Sequence, residues 1–243
     1  TIENRLKDGT DFNLLPEVNK TFINNGCIWQ LTNYGTGKIE NNGSMVSITS
    51  TTASNIRNLG SISGIEANGN IFNKTYINEL YSTDSLNKGI GIENEGFIKK
   101  LNKNKNKNLK NYGWVYKVQN EAIADTKKIE NYGILGFDNI ADYNSLKSAG
   151  KLANKGIVLK SGTIQDIVAN SPTLKDDKGR LIKNYQYTTI ADTVIDNGIL
   201  NIYEGTIDKN LEFKNNSIFN TWVVTVEANK KISFNNSTAN IEE

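Results

Sequence analysis

The stretch Ile129–Glu130–Asn131–Tyr132–Gly133–Ile134–Leu135 recurs in altered form along nearly the whole chain. Its pattern is apolar, any, Asn, any, Gly, any, apolar. Matches to the first five positions begin at Phe22, Leu31, Ile39, Ile56, Ile92, Leu109, Ile129, Leu152 and Val194, the last with Asp196 in the Asn place. In every copy but that at Leu31, the second residue after the Gly is again apolar: Ile28, Met45, Ile62, Ile98, Val115, Leu135, Val158 and Leu200. Gly26, Gly43 and Gly60 are 17 apart, as are Gly96 and Gly113; Gly133 follows after 20 and Gly156 after 23. Degenerate copies are read at Ile2–Glu3–Asn4–Arg5–Leu6, at Tyr76–Ile77–Asn78–Glu79–Leu80 and at Ile182–Lys183–Asn184–Tyr185–Gln186. The unit is about 17 to 23 residues, and about 11 or 12 units fill the chain.

Each unit carries short bursts of apolar alternation bounded by Asn and Gly, and almost no helical periodicity. Strands this short, repeated in slightly variable units, predict an all-β parallel β-solenoid in which one unit is one coil. The whole of 1–243 reads as one such body, with a loop projecting at 171–187 around Pro172 and Asp176–Asp177–Lys178–Gly179–Arg180. The first apolar residue of the motif is expected to point inward. Asn and Gly are expected to supply the left-handed conformations of a sharp bend. Equivalent residues then stack about 4.8 Å apart. Asn24, Asn41, Asn58, Asn78, Asn94, Asn111, Asn131, Asn154, Asn184 and Asp196 are expected to form a ladder that satisfies buried bend amides.

Lys and Arg number 28 against 26 Asp and Glu, a net of +2, too balanced to point to nucleic acid or an anionic membrane. There is no histidine, which removes the commonest general base and zinc ligand. The single cysteine, Cys27, reads as a small packed hydrophobe rather than a reactive thiol. No apolar run approaches the roughly 20 residues that span a bilayer, and Thr1 opens no signal-peptide pattern. Neither end shows an obvious cap, so a fragment of something longer is expected.

The run Asn102–Lys103–Asn104–Lys105–Asn106–Lys107–Asn108 reads as an exposed turn. A short helical turn is read around Tyr143–Ser145–Leu146–Lys147. Enzymatic β-helices need clustered carboxylates, and apart from the terminal Glu242–Glu243 the only adjacent acid pair is Asp176–Asp177 with Arg180 nearby, a solvated loop tip on the plainer reading. Acids one coil apart, such as Asp125 with Asp142 or Asp166, are not singled out by spacing. The calcium-binding nonapeptide repeat of some solenoids is absent, and no metal or cofactor is assigned. Tyr34, Tyr112, Tyr132 and Tyr185 follow the ladder Asn or its equivalent. That place is expected to point outward, making Tyr112 and Tyr132, with Trp114 close by, a surface aromatic stripe suited to a sugar or protein partner. Shielding of the strand edges is the alternative role for that stripe.

The runs Ile39–Glu40–Asn41–Asn42–Gly43, Ile129–Glu130–Asn131–Tyr132–Gly133 and Val194–Ile195–Asp196–Asn197–Gly198–Ile199–Leu200 resemble the passenger regions of bacterial type V secreted proteins. More specifically they resemble the Asn-, Ile- and Gly-rich autotransporter adhesins of fusobacterial type, over roughly Ile2 to Gly205. The resemblance implies a right-handed parallel β-helix displayed outside a Gram-negative outer membrane. It also implies a monomeric, non-catalytic adhesin segment that binds a host-cell or bacterial surface protein or glycan and does not itself enter the membrane. The contact regions expected are the Tyr112, Trp114, Tyr132 stripe and the loop bearing Asp176, Asp177, Arg180 and Tyr185. A polysaccharide-processing β-helix enzyme and a purely structural stalk stand as alternatives.

Overall fold

The computed structural model describes residues 1–15, 19–82, 91–105, 107–160, 164–166, 183–185 and 192–241. Each motif but that at Leu31 forms a three- or four-residue strand ending at its Asn or Asp, as in Ile39–Asn41, Ile56–Asn58 and Lys128–Asn131. A tight bend follows, and then usually a longer strand such as Ser44–Ser50 or Ser61–Ala67. The short strands stack in parallel into a 9-stranded sheet from Ile2–Asn4 to Leu152–Asn154. The longer ones stack into a second 9-stranded sheet from Asp11–Leu14 to Ile157–Lys160. The chain is therefore a parallel β-solenoid, one short and one long strand per coil.

Register follows the repeat. Ile39, Ile56, Ile71, Ile92, Leu109 and Ile129 are successive partners, and all are buried. Opposite them, Ile28, Met45, Ile62, Ile98, Val115, Leu135 and Val158 line the core from the long sheet. In Ser44–Ser50 the buried residues are Met45, Ile48 and Ser50, with Val46 and Ser47 both outward. Two successive outward residues mean that the strand turns at its middle, so strict alternation fails there. Burying one such apolar side chain is worth roughly 1.5–3 kcal/mol, and each coil contributes several.

The inner corner carries the asparagines. Asn4 Nδ2 donates to Asn24 Oδ1 at 2.8 Å, and the pattern continues through Asn41, Asn58, Asn73, Asn94, Asn111, Asn131 and Asn154 at 2.7–2.9 Å. Spacing between bonded partners runs from 15 to 23 residues. Asn73, not Asn78, is the fifth member. The true fifth copy is Ile71–Phe72–Asn73, and Thr75 stands in the Gly place with its hydroxyl donating to the Gly60 carbonyl. Asn78 lies within the long strand Tyr76–Ser82, and Leu80 there is a core residue.

The bend residues act differently from expectation. Neither the ladder asparagines nor the glycines after them have positive φ. Gly is required because the coils approach too closely for a side chain: a Cβ on Gly43 would sit 2.0 Å from the Gly26 carbonyl oxygen, and one on Gly133 2.0 Å from that of Gly113. At the opposite corner a second inward column runs Asn33, Ser50, Ala67, Ser82, Asn104. The Leu31 copy belongs to this corner, where Asn33 Nδ2 reaches the Gly35 carbonyl at 3.0 Å. The 102–108 run also departs from expectation, since Asn104 and Lys107 are buried. Lys107 Nζ donates to the carbonyls of Asn68 at 2.8 Å and Gly69 at 2.6 Å, which keeps its ammonium hydrogen-bonded inside the stack.

Among the described residues, two helices fill the longer coils. α1 (Asn120–Asp125) buries Ala122 and Ile123, and α2 (Ile140–Ser148) buries Tyr143 and Leu146. Asn139 caps α2 by accepting the Asp142 N–H at 3.0 Å. Asp125 thus ends α1 and Asp142 lies in the first turn of α2. After Ile157–Lys160 the pattern changes. Ile164–Asp166 pairs antiparallel with Lys183–Tyr185, so the expected copy around Asn184 is not a coil strand.

Residues 192–241 form three more coils with their own two parallel sheets. There Asp196 is exposed and accepts from Asn215 at 2.7 Å rather than joining the buried ladder. The bends use Asn197, Asn215, Asn216 and Asn236 at positive φ, the left-handed role anticipated for the whole chain. Thr238–Ile241 forms the strand after Ser237.

Replacing Asn94 by Ala would leave the Asn73 donor and the Asn111 acceptor without their coil-to-coil partner. Each orphaned buried group costs about 1–3 kcal/mol, so Asn94→Ala is expected to lower the unfolding free energy by about 2–5 kcal/mol. The exposed Asn42→Ala should stay within about 0.5 kcal/mol in the same urea titration. Gly133→Ala, which forces a methyl onto a backbone carbonyl, is expected to cost about 3 kcal/mol.

Candidate functional site

The outer surface is organised in columns, because every outward residue stacks on its equivalent in the next coil. The column after the ladder Asn runs Asn25, Asn42, Leu59, Lys74, Glu95, Tyr112, Tyr132, Lys155. Neighbours along it satisfy one another. Asn42 Nδ2 donates to Asn25 Oδ1 at 2.8 Å, and Lys74 pairs with Glu95 at 3.2 Å. Tyr112 and Tyr132 stack with centroids 5.0 Å apart and rings 13° from parallel. Lys155 Nζ then lies 5.3 Å from the Tyr132 centroid. Tyr112 is 43% exposed and Tyr132 half-buried, so this pair does face outward. Its facing ring surfaces are taken up by stacking, which leaves chiefly edges and hydroxyls for a partner.

Trp114 does not belong to that stripe. It is fully buried, edge-on to Phe97 at 5.0 Å and to Tyr116 at 6.1 Å, and Phe97 stacks on Tyr76 at 5.7 Å. Trp114 and Phe97 occupy the place directly after the bend Gly, and Tyr76 the place after Thr75, which stands for that Gly. In register that column reads Cys27, Ser44, Ser61, Tyr76, Phe97, Trp114, Ile134, Ile157. The change from small to bulky side chains marks where the outer face is covered. From Tyr76 onward the column joins a second hydrophobic cluster with Ile195, Leu200, Ile202 and Phe213 of the last three coils. Gly198, Ile199 and Leu200 lie beside the bends at Gly113 and Gly133. The size change after Ser61 is visible in the sequence and was the signal for this second core.

Asp176, Asp177 and Arg180 lie outside the described residues. Tyr185 lies in the strand Lys183–Tyr185, in the antiparallel pairing noted above. The described residues contain no cluster of three or more His, Cys, Asp or Glu able to hold a metal. Among the described residues, no helix is long and apolar enough to cross a membrane.

A feature that motif reading missed lies on the outer face of the short-strand sheet. A groove of about 670 Å³ crosses five coils there, lined by Lys38, Glu40, Arg57, Phe72, Glu93 and Lys110 among others. Arg57 Nη1 pairs with Glu40 Oε2 at 3.2 Å, and Lys74 Nζ lies 5.4 Å from the centroid of the half-buried Phe72 ring. The middle residues of consecutive short strands supply this face: Glu40, Arg57, Phe72, Glu93, Lys110, Glu130. Farther along, a hydrogen bond from Lys128 holds the Glu130 carboxyl below its usual range, and Glu130 raises Lys128 in turn. On the long-strand face, burial and then Asp138 push the Tyr116 phenol upward. Mixed charge of this kind suits a partner read by many weak polar contacts rather than one strong field.

Compared with known protein families, curated proteins and solved structures, the chain matches none. The class it belongs to follows from its fold: a parallel β-solenoid repeat protein.

The two aromatic neighbours separate cleanly in mutagenesis. Trp114→Ala is expected to cost about 3–5 kcal/mol by emptying a packed site. Tyr112→Ala, which loses one surface stacking contact, should cost about 0.5–1.5 kcal/mol. Thermal unfolding of the two variants side by side checks the assignment.

Proposed function

We propose that this chain is a surface-exposed, non-catalytic passenger segment of a type V secreted adhesin, binding a host-cell or bacterial surface protein or glycan. The observation that carries the reading is the uninterrupted nine-coil stack, locked at its corner by consecutive Asn–Asn bonds. Each coil is stabilised by its neighbours, so length is gained without a larger core and the outer columns form an extended display surface. At about 4.8 Å per coil, nine coils make a rod section roughly 40 Å long. Such a segment works outside the cell, held by a membrane-embedded partner region, and needs no cofactor.

Catalysis is the weaker alternative on geometric grounds. Glu40 and Glu93 are the acids of the short-strand groove, and they stand three coils apart. That is roughly 14 Å at about 4.8 Å per coil, wider than the roughly 5–9.5 Å between the carboxylates of glycoside hydrolases. A purely structural stalk remains the second reading, favoured by the way the Tyr112–Tyr132–Lys155 column satisfies itself internally.

Binding of the fluorescently labelled chain to intact epithelial cells distinguishes these readings. Saturable binding that excess unlabelled chain displaces is expected. Binding that stays linear and undisplaced assigns the segment to a stalk, and release of reducing ends from a glycan panel would assign it to an enzyme.

A further inference from the structure

The groove on the short-strand face has a chemistry that the tyrosine column lacks. Its floor alternates Glu40, Arg57, Phe72, Glu93, Lys110, one residue from each of five successive coils. The phenyl ring of Phe72 thus sits at the centre, with an ion-pair-forming carboxylate and cation on one side and a second acid and base on the other.

Three physical points select the occupant. First, the backbone groups of this sheet are consumed between coils: Ile39 N–H to Asn55 C=O at 2.9 Å, Ile56 N–H to Asn70 C=O at 2.8 Å, Ile71 N–H to Gly91 C=O at 3.1 Å. An extended peptide laid on the face therefore cannot add as a strand and would leave its own backbone groups poorly paired. Second, a polyanion running along the groove meets Glu40 and Glu93, and a polycation meets Arg57 and Lys110. The interleaved signs favour a neutral chain whose groups both donate and accept, as hydroxyls do. Third, the floor residues repeat every coil, about 4.8 Å, close to the advance of an extended β-linked glycan per sugar. A pyranose ring also offers the apolar C–H face that an aromatic ring stacks against.

We infer that the short-strand groove is a binding cleft for a neutral, extended β-linked glycan, with Phe72 as the stacking platform and Glu40, Arg57, Glu93 and Lys110 as hydroxyl partners. This rests on the reading of the segment as a binding surface and names the ligand class for it. Five coils span about 19 Å, so a chain of several sugars, not a terminal sugar, fills the cleft.

Calorimetric titration of the whole chain with neutral β-1,4-linked hexaoses of glucose and of N-acetylglucosamine tests it. At least one hexaose should bind, the matching disaccharide at least about tenfold more weakly, and Phe72→Ala should weaken the hexaose at least about tenfold. Phe72→Trp, which keeps a platform, should retain binding, and Val46→Ala, at an exposed position of the long-strand sheet, should leave it unchanged. Melting curves of each variant confirm folding. Absence of hexaose binding, a disaccharide as tight as the hexaose, or full binding by a folded Phe72→Ala overturns the inference. Exclusive binding of a sulfated glycan or a peptide overturns it equally. If the hexaoses fail while the labelled chain still binds cells saturably, the groove assignment falls and the adhesin reading stands. If both fail, both fall.

Discussion

A primary amide buried at the inner corner of each coil must find partners for two N–H groups and one oxygen, and the rest of the stack follows from how it does so. Asn24 shows the solution. Its Nδ2 donates to Asn41 Oδ1 and to the Gly26 carbonyl of its own bend, and its Oδ1 receives Asn4 Nδ2 and the Gly26 N–H. No single coil can do this alone, so the corner is satisfied only when coils are stacked in register. Every ladder bond is donated toward the C-terminus, which aligns the amide dipoles and lets each strengthen the next. An aspartate cannot take the place, because it has no donor and brings a charge into the interior. Asp196 accordingly sits exposed, and the coils from there on build their bends from left-handed asparagines instead.

The glycines enforce the same geometry from the other side. With carbonyl oxygens of the preceding coil about where a Cβ would be, as at Gly43 and Gly133, the bends of successive coils nest at one corner. That pinned corner lets the remainder of each coil vary. The fourth step takes only 15 residues, and the last takes 23 and accommodates α2. Rigidity at one corner and tolerance at the other leave the outer columns free to carry chemistry without endangering the core.

Those outer columns are of two kinds. Along the Asn25-to-Lys155 column each side chain is matched to its neighbour by a hydrogen bond, ion pair or ring stack at several steps, which shields the corner. Across the short-strand face, an aromatic ring and alternating charges line a groove instead. The first kind stabilises by local complementarity; the second carries the Arg57–Glu40 pair and Lys74 over Phe72 as well, and keeps Glu93 and Lys110 exposed to solvent, where a partner can use them.

The repeat made the coil, its parallel stacking and the inward rows legible from residues alone, because Ile39, Asn41 and Met45 report contacts that recur identically in each coil. Where a contact depends on which surfaces meet at a distance, the string of residues was mute. It favoured Asn78 over Asn73, since both follow an apolar–any step and only hydrogen bonding to Asn58 and Asn94 separates them. It placed Trp114 with Tyr112 and Tyr132, since alternation says which residues leave the sheet but not what lies above them. Burial of Trp114 comes from the second hydrophobic cluster, shared with the last three coils. Periodicity encodes the neighbours one coil away, and only the folded chain decides what covers each outward face.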